Sequence, residues 1–281
     1  PWASSAASDV YKRQAKKYSD NNEAYDAIRD MLSNLDDPYT RFLDPKEFNQ
    51  MRIDTSGELT GVGIQIVKDK ESDSIIIISP IEGTPAYEAG IKAKDKILSI
   101  DNVSTKGLNI EDAVKLIRGR RGTKVKLEIL RNGNSFYKSL LRERIEIKSV
   151  TSKINETKDG LLIGYVRLKQ FNANASREMK DTLKDLEIKK VSGYVLDLRS
   201  NPGGLLESSI DISRQFIDKG IIVSTLSKDG LKETKRGNGK ALTKKPLIVL
   251  VNEGSASASE IVSGAIRDNN RGKLVGKKTF G

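Results

Sequence analysis

Two short runs hold the residue types that a reaction would use. In the first, the apolar Val249, Leu250 and Val251 lead through Asn252, Glu253 and Gly254 to Ser255, Ala256, Ser257, Ala258, Ser259 and Glu260. A strand there gives way to a helix through a glycine turn. The small neighbours of Ser257 leave its hydroxyl uncovered, and a helix N-terminus beside it favours developing negative charge. That is a site for a serine nucleophile. The same residues also spell a capping box, with Ser257 as N-cap and Glu260 at the third helical position, and they do not match the GxSxG elbow. The second run is LDLRSNPGG at 196–204, where Pro202 fixes a turn and Gly203 and Gly204 expose backbone N–H groups. It reads either as a tight strand-to-helix loop or as an oxyanion donor. Placed on one parallel sheet, the two runs would meet at the same edge, one bringing a hydroxyl and the other a backbone donor.

Composition narrows the chemistry further. The 281 residues include no His and no Cys. Ser/His/Asp and Cys/His sites, CxxC redox motifs and His- or Cys-ligated zinc sites are thereby excluded from this sequence. A hydrolase built on it must take its general base from Lys, a carboxylate or Tyr. No metal and no cofactor is expected. The net charge of +11 suits an anionic partner, but the lysines are scattered and aromatic residues make up only 5%, so a basic solvated surface is expected rather than nucleic-acid binding. Peripheral contact with an acidic membrane surface remains an alternative. No run approaches the roughly 18 apolar residues of a membrane span.

The elements that must position the two runs are legible by periodicity. Residues 1–14 resemble a translated sequencing-adapter end and are set aside. Ala24, Ala27, Ile28, Met31, Leu32 and Leu35 fall at helical spacing, and a short segment follows at 45–52, giving a helical region over 15–56. From Gly57 the pattern turns to β: strands at 62–67, 74–79, 96–100, 124–130 and 136–141, helices at 85–89 and 110–118, and a hairpin turn at Asn132, Gly133 and Asn134. This is a module of 57–143. Over 144–281 strands and helices alternate: strand 161–168, helix 173–186, strand 192–198, helix 205–216, strand 221–226, strand 247–251, helix 257–267. Alternation of that kind predicts an α/β core on a largely parallel sheet.

Within the β-rich module Gly61, Val62, Gly63 and Ile64 open the first main strand, Gly83, Thr84, Pro85 and Ala86 precede a helix, and Ile117, Arg118 and Gly119 end another. In this order they resemble a PDZ domain of the bacterial protease type. The resemblance implies that the amides of 61–64 receive a terminal carboxylate while a peptide adds as a strand, an arrangement that suits the anion nest formed by adjacent N–H groups.

Together with LDLRSNPGG, the segments NEGSASASEI (252–261), GKKTFG (276–281) and LDDPYTRFLDP (35–45) resemble the C-terminal processing, or tail-specific, peptidases. This family joins a PDZ domain to an α/β core of the ClpP/crotonase kind and acts through a Ser/Lys dyad. The resemblance makes Ser257 the nucleophile, Gly203 and Ala258 the oxyanion N–H donors, Glu260 a supporting polar residue and Arg118 a coupling residue between peptide site and active site. For Arg118 a plain helix-end charge is the competing reading. The family's general-base Lys falls at the position immediately after Gly281, and neither Lys277 nor Lys278 matches it. The expectation is therefore an incomplete core, inactive as given, from an exported protein of the periplasm, cell envelope or thylakoid lumen whose signal peptide lies outside this sequence. Its partners would be proteins or peptides with free C-termini. A non-catalytic PDZ scaffold with a degenerate protease-like domain is the alternative, and the PDZ module disfavours an acyl-CoA enzyme.

Overall fold

The computed structural model describes residues 18–37, 40–69, 72–227, 229–230 and 232–281, so the adapter-like segment 1–14 lies outside the described residues. The chain divides into two compact units, one ending at Arg52 and one running from Ile53 to Gly281. In the first, α1 (Asn21–Ser33) is N-capped by Asp20, which is extended and accepts from the Glu23 N–H. Arg29 of α1 reaches Asp44 at 2.8 Å and Glu47 at 3.1 Å, beside the start of α2 (Pro45–Ser56).

In the second unit the β-rich module is a six-stranded sheet. Its path runs β2 (Ile64–Lys68), β3 (Ile75–Pro80), β4 (Lys96–Ile100), β6 (Lys124–Arg131) and β7 (Asn134–Leu141), with β5 (Val103–Ser104) paired to β4. Alternation decides which face is buried: along β6, Val125, Leu127 and Ile129 point inward while Lys124 and Lys126 face solvent. The inward set packs with Ile75, Ile77 and Ile97 and with Ala113 and Ile117 of α4 (Ile110–Ile117). The short α3 (Pro85–Glu88) follows Thr84. The hairpin turn takes the expected form, with Asn132 at φ 50° and Gly133 at φ 83°, the pair of positive values that a two-residue turn between twisted strands needs.

Two strands not foreseen in the sequence close this module. β1 (Glu58–Gly61) pairs antiparallel with β8 (Glu143–Glu146), so the two ends of the module form one ribbon. Below the ribbon the chain is joined to the α/β core by backbone: Ala173 N–H donates to Thr55 C=O at 2.9 Å, and Ile147 N–H to Gly57 C=O at 2.8 Å.

The core is a five-stranded sheet in the order β15 (Lys273–Gly276), β14 (Leu247–Val251), β11 (Gly193–Asp197), β10 (Leu162–Leu168), β9 (Val150–Glu156). β10, β11, β14 and β15 are parallel and β9 is an antiparallel edge. The largely parallel sheet was expected; the edge strand was not. Each parallel strand is added on the same side of the last, so right-handed crossovers carry α5 (Ala175–Ile188), α6 (Leu206–Phe216) and α7 (Ala258–Asp268) to one face. Met179, Leu183 and Leu186 of α5 and Val262 and Ile266 of α7 are buried in a single core with Phe171 and Phe216. The expected strand at 221–226 forms as β12 (Ile221–Leu226), but it pairs with β13 (Lys232–Arg236) in a separate two-stranded ribbon and does not join the sheet. Only Ile222 of the strand is buried and Leu226 is 73% exposed, so it lacks the continuous buried apolar run of a central parallel strand.

Candidate active site

β11 and β14 are parallel neighbours with Asp197 opposite Leu250, so the loops after them leave the same sheet edge side by side. Backbone and side chains then stitch the loops together. Ser200 N–H donates to Asn252 Oδ1 at 2.7 Å, the Ser255 hydroxyl to Leu198 C=O at 2.8 Å, and Ala256 N–H to Asn201 C=O at 3.1 Å. The two sequence-predicted runs are thereby in direct contact.

Ser257 is exposed at the N-terminus of α7 with φ 52° and ψ −114°. That backbone differs from the one an ordinary cap adopts. Asp20 and Asn109, the ordinary caps of α1 and α4, are extended and accept an N–H three residues on through their side chains. Ser257 instead sits in the left-handed half of the map, at an order of 1–3 kcal/mol for a non-glycine residue, a strain that concentrates at functional turns. Ser257 and Glu260 nevertheless form a capping box, in which Glu260 Oε2 accepts the Ser257 N–H at 2.7 Å. Its Oε1 accepts the Gly281 N–H at 2.9 Å. One carboxylate therefore holds both the serine backbone and the 276–281 segment. Burial pushes the Glu260 carboxyl up, but donors from Gly281, Thr279 and Ser257 outweigh it and keep it below its ordinary range.

Gly203 meets the serine without a side chain between them. A Cβ on it would lie 2.8 Å from Ala256 O and 2.9 Å from both Ala258 N and Ser257 Cβ, at φ 103°. Only glycine allows that approach. The Ala258 N–H, at the first turn of α7, has no acceptor among the described residues. The Gly203 N–H does have one: it donates to Asn201 Oδ1 at 2.9 Å. The expected pair of oxyanion donors is thus brought together, with one of them engaged by a neighbouring side chain.

Asp197 secures the start of this loop. It is fully buried and accepts from Arg199 N–H at 2.9 Å, from Arg199 Nη2 at 2.8 Å and from the Tyr165 hydroxyl. Burial pushes its carboxyl up, yet the Arg199 and Tyr165 hydrogen bonds prevail and hold it at about 2. Lys277 lies 3.6 Å from Glu253 in an exposed ion pair.

Around 61–64, where a peptide site is expected, the backbone is arranged as follows. Ala86 N–H donates to Val62 C=O at 2.9 Å and Ile81 N–H to Gly63 C=O at 2.8 Å, so both carbonyls are turned inward. The Val62 and Gly63 N–H groups have no acceptor among the described residues. Gly63, at φ 80°, leaves no room for a Cβ beside Thr84. A cavity at this loop is lined by Gly61, Gly63, Ile64, Val114, Ile117 and Arg118, and β2 beside it is a free edge of its sheet. Arg118 thus lies at the groove.

Sequence reading missed the residues that hold these pieces. Arg142, 8% exposed, donates to the Leu116 and Ile117 carbonyls and so closes the end of α4 under the groove. Asn172 and Asn201 sit in the joints of the core. The signal for Asn201 was its place in the NPGG run; Arg142 and Asn172 gave none, because their partners lie far away in sequence.

A β-rich module with an open edge strand, joined to a largely parallel sheet bearing an exposed serine of positive φ at a helix N-terminus, has the architecture of a PDZ domain on a serine-protease-type core. The chain belongs to peptidase family S41: the model of that family matches residues 162–281, and the PDZ domain model matches residues 50–130. It is 45% identical over 261 residues to a carboxyl-terminal-processing protease of Synechocystis sp., covering 92% of this chain and 61% of that protein. It is 38% identical to the carboxy-terminal processing protease CtpA of Bacillus subtilis, covering 98% and 57%. Among solved structures, a photosystem II D1 C-terminal processing protease superposes with a TM-score of 0.52 at 33% identity, covering 97% of this chain and 74% of that one. The chain spans about three fifths of the length of the curated relatives it matches.

Proposed function

We propose that this chain carries the substrate-recognising and nucleophilic parts of a serine endopeptidase that takes proteins by their C-terminal ends. The 57–143 module receives the terminal carboxylate on the amides of Gly61, Val62, Gly63 and Ile64, with the peptide added beside β2 and Arg118 lining the groove. The 144–281 core attacks the scissile carbonyl with Ser257. The tetrahedral oxyanion is received by the Ala258 and Gly203 N–H groups, and the acyl-enzyme is then hydrolysed. The general base is a lysine that follows Gly281 in the full-length protein, its amine kept neutral by burial. The observation that carries this reading is the left-handed, exposed Ser257, whose N–H shares the Glu260 carboxylate with the Gly281 N–H. A residue directly after Gly281 therefore starts beside the nucleophile. Glu260 acts as the clamp for both.

The relatives include a chloroplastic carboxyl-terminal-processing peptidase of Arabidopsis thaliana, and on the family likeness we propose an exported location: periplasm, cell envelope or thylakoid lumen. Among the described residues no helix is long and apolar enough to cross a membrane. The test is cleavage of a protein substrate with an apolar C-terminal tail by the full-length protein. Ser257→Ala should lose activity by about four orders of magnitude or more while still binding the tail peptide. Retained cleavage would place the nucleophile elsewhere; tail binding without any cleavage by the unsubstituted protein would favour a peptide-binding scaffold.

A further inference from the structure

Asn201 makes more connections than a turn residue needs. It is fully buried. Its Nδ2 donates to Leu168 C=O at 2.9 Å, at the end of β10, and its own C=O accepts from Ala256 N–H at 3.1 Å and from the Ser259 hydroxyl at 2.9 Å. Its Oδ1 takes the Gly203 N–H at 2.9 Å. A single residue thus ties three chain segments around the nucleophile and occupies one of the two donors expected to face the oxyanion.

An N–H has one proton, and a donor aimed at Asn201 Oδ1 is not aimed at Ser257. Gly203 and Gly204 have φ of 103° and 142°, conformations that residues with a side chain rarely adopt. Gly204 is held from the other side, where Phe171 N–H donates to Gly203 C=O at 2.9 Å and Leu205 N–H to Phe171 C=O at 2.7 Å. These bonds anchor the loop on the far side of the Pro202–Gly203 peptide, whose N–H is held, among the described residues, by the Asn201 side chain alone.

We propose that Asn201 is a positioning residue of the oxyanion loop, whose side-chain oxygen holds the Gly203 N–H until a tetrahedral centre on Ser257 draws it away. The exchange trades a neutral acceptor for an anionic one. A hydrogen bond to a charged acceptor is roughly twice as strong, so the ground state keeps the latch and the transition state opens it. Asn201 touches no reacting atom and acts through Gly203. This rests on Ser257 being the nucleophile.

The test compares two ligands on the full-length protein: a peptidyl boronate, which forms a tetrahedral adduct on a reactive serine, and the corresponding product peptide, which does not. Asn201→Asp keeps the acceptor and adds charge, and its boronate-over-product preference should fall by roughly tenfold or more; Asn201→Ala removes the acceptor, and its preference should rise. In ¹⁵N-glycine-labelled protein the Gly203 amide should be protected from exchange, move downfield on adduct formation, and lose protection in Asn201→Ala without ligand. A fall of similar size in both variants would assign Asn201 a purely structural role and overturn the proposal. So would an unprotected Gly203 amide in the unsubstituted protein. If the unsubstituted protein binds product but not boronate, the nucleophile assignment itself fails and the latch falls with it.

Discussion

At the scale of single residues, the site is held by buried polar side chains that each satisfy several partners. Asp197 is the clearest. Its folded carboxyl titrates at about 2, against an ordinary value of 3.8. A carboxylate depressed in the folded state adds stability that is fully present above its unfolded pKa and is lost as pH falls through the folded one. Between about pH 4 and pH 2 this group should therefore withdraw on the order of 2 kcal/mol. Thermal unfolding followed across that range should show the loss, and Asp197→Asn should flatten it while lowering stability at neutral pH. Ser257 and Gly203 were legible in the sequence as candidates because their motifs place small residues and glycines at strand ends. Ser257's unusual backbone was not, since a capping-box sequence ordinarily predicts an extended cap. Glu260 was read as a supporting residue; its second bond, to Gly281, depends on a segment twenty-one residues away.

At the scale of elements, the strands and helices that alternate in hydrophobicity were readable, and those that do not were missed. β6, with its inward Val125, Leu127 and Ile129, and α5, with Met179, Leu183 and Leu186, carry their own period. β9, β8 and β13 are largely exposed and carry many polar residues, so no apolar period marks them. The ribbon of β1 and β8 matters because it leads from the core joint to the groove. At the joint, Gly57 has φ 71° and a Cβ there would lie 2.2 Å from Asn172 Nδ2. Asn172 cannot swing aside, being buried and donating to Ser149 Oγ at 2.6 Å while accepting from Asn174 N–H at 3.0 Å. Gly57→Ala should cost about 1–3 kcal/mol. Gly133→Ala is the control: its φ of 83° is similar but it has open space around it, so its loss should be smaller. Denaturant unfolding of the two variants reads the difference directly.

At the scale of the whole molecule, the PDZ module and the S41 core share one compact unit, linked by backbone hydrogen bonds at Thr55, Gly57, Ile147 and Ala173. The absence of His and Cys from the sequence, the parallel edge that gathers Asn201, Gly203 and Ser257, and the kinship with carboxyl-terminal-processing proteases all bear on one claim. That claim is that Ser257 is a nucleophile activated by a lysine following Gly281. The most direct measurement is covalent labelling of the full-length protein with a peptidyl fluorophosphonate, mapped by peptide mass spectrometry. The label should fall on Ser257 and be lost on Ser257→Ala and on alanine substitution of the residue after Gly281. Labelling of another residue, or undiminished labelling of Ser257 when the following residue is changed, would contradict it.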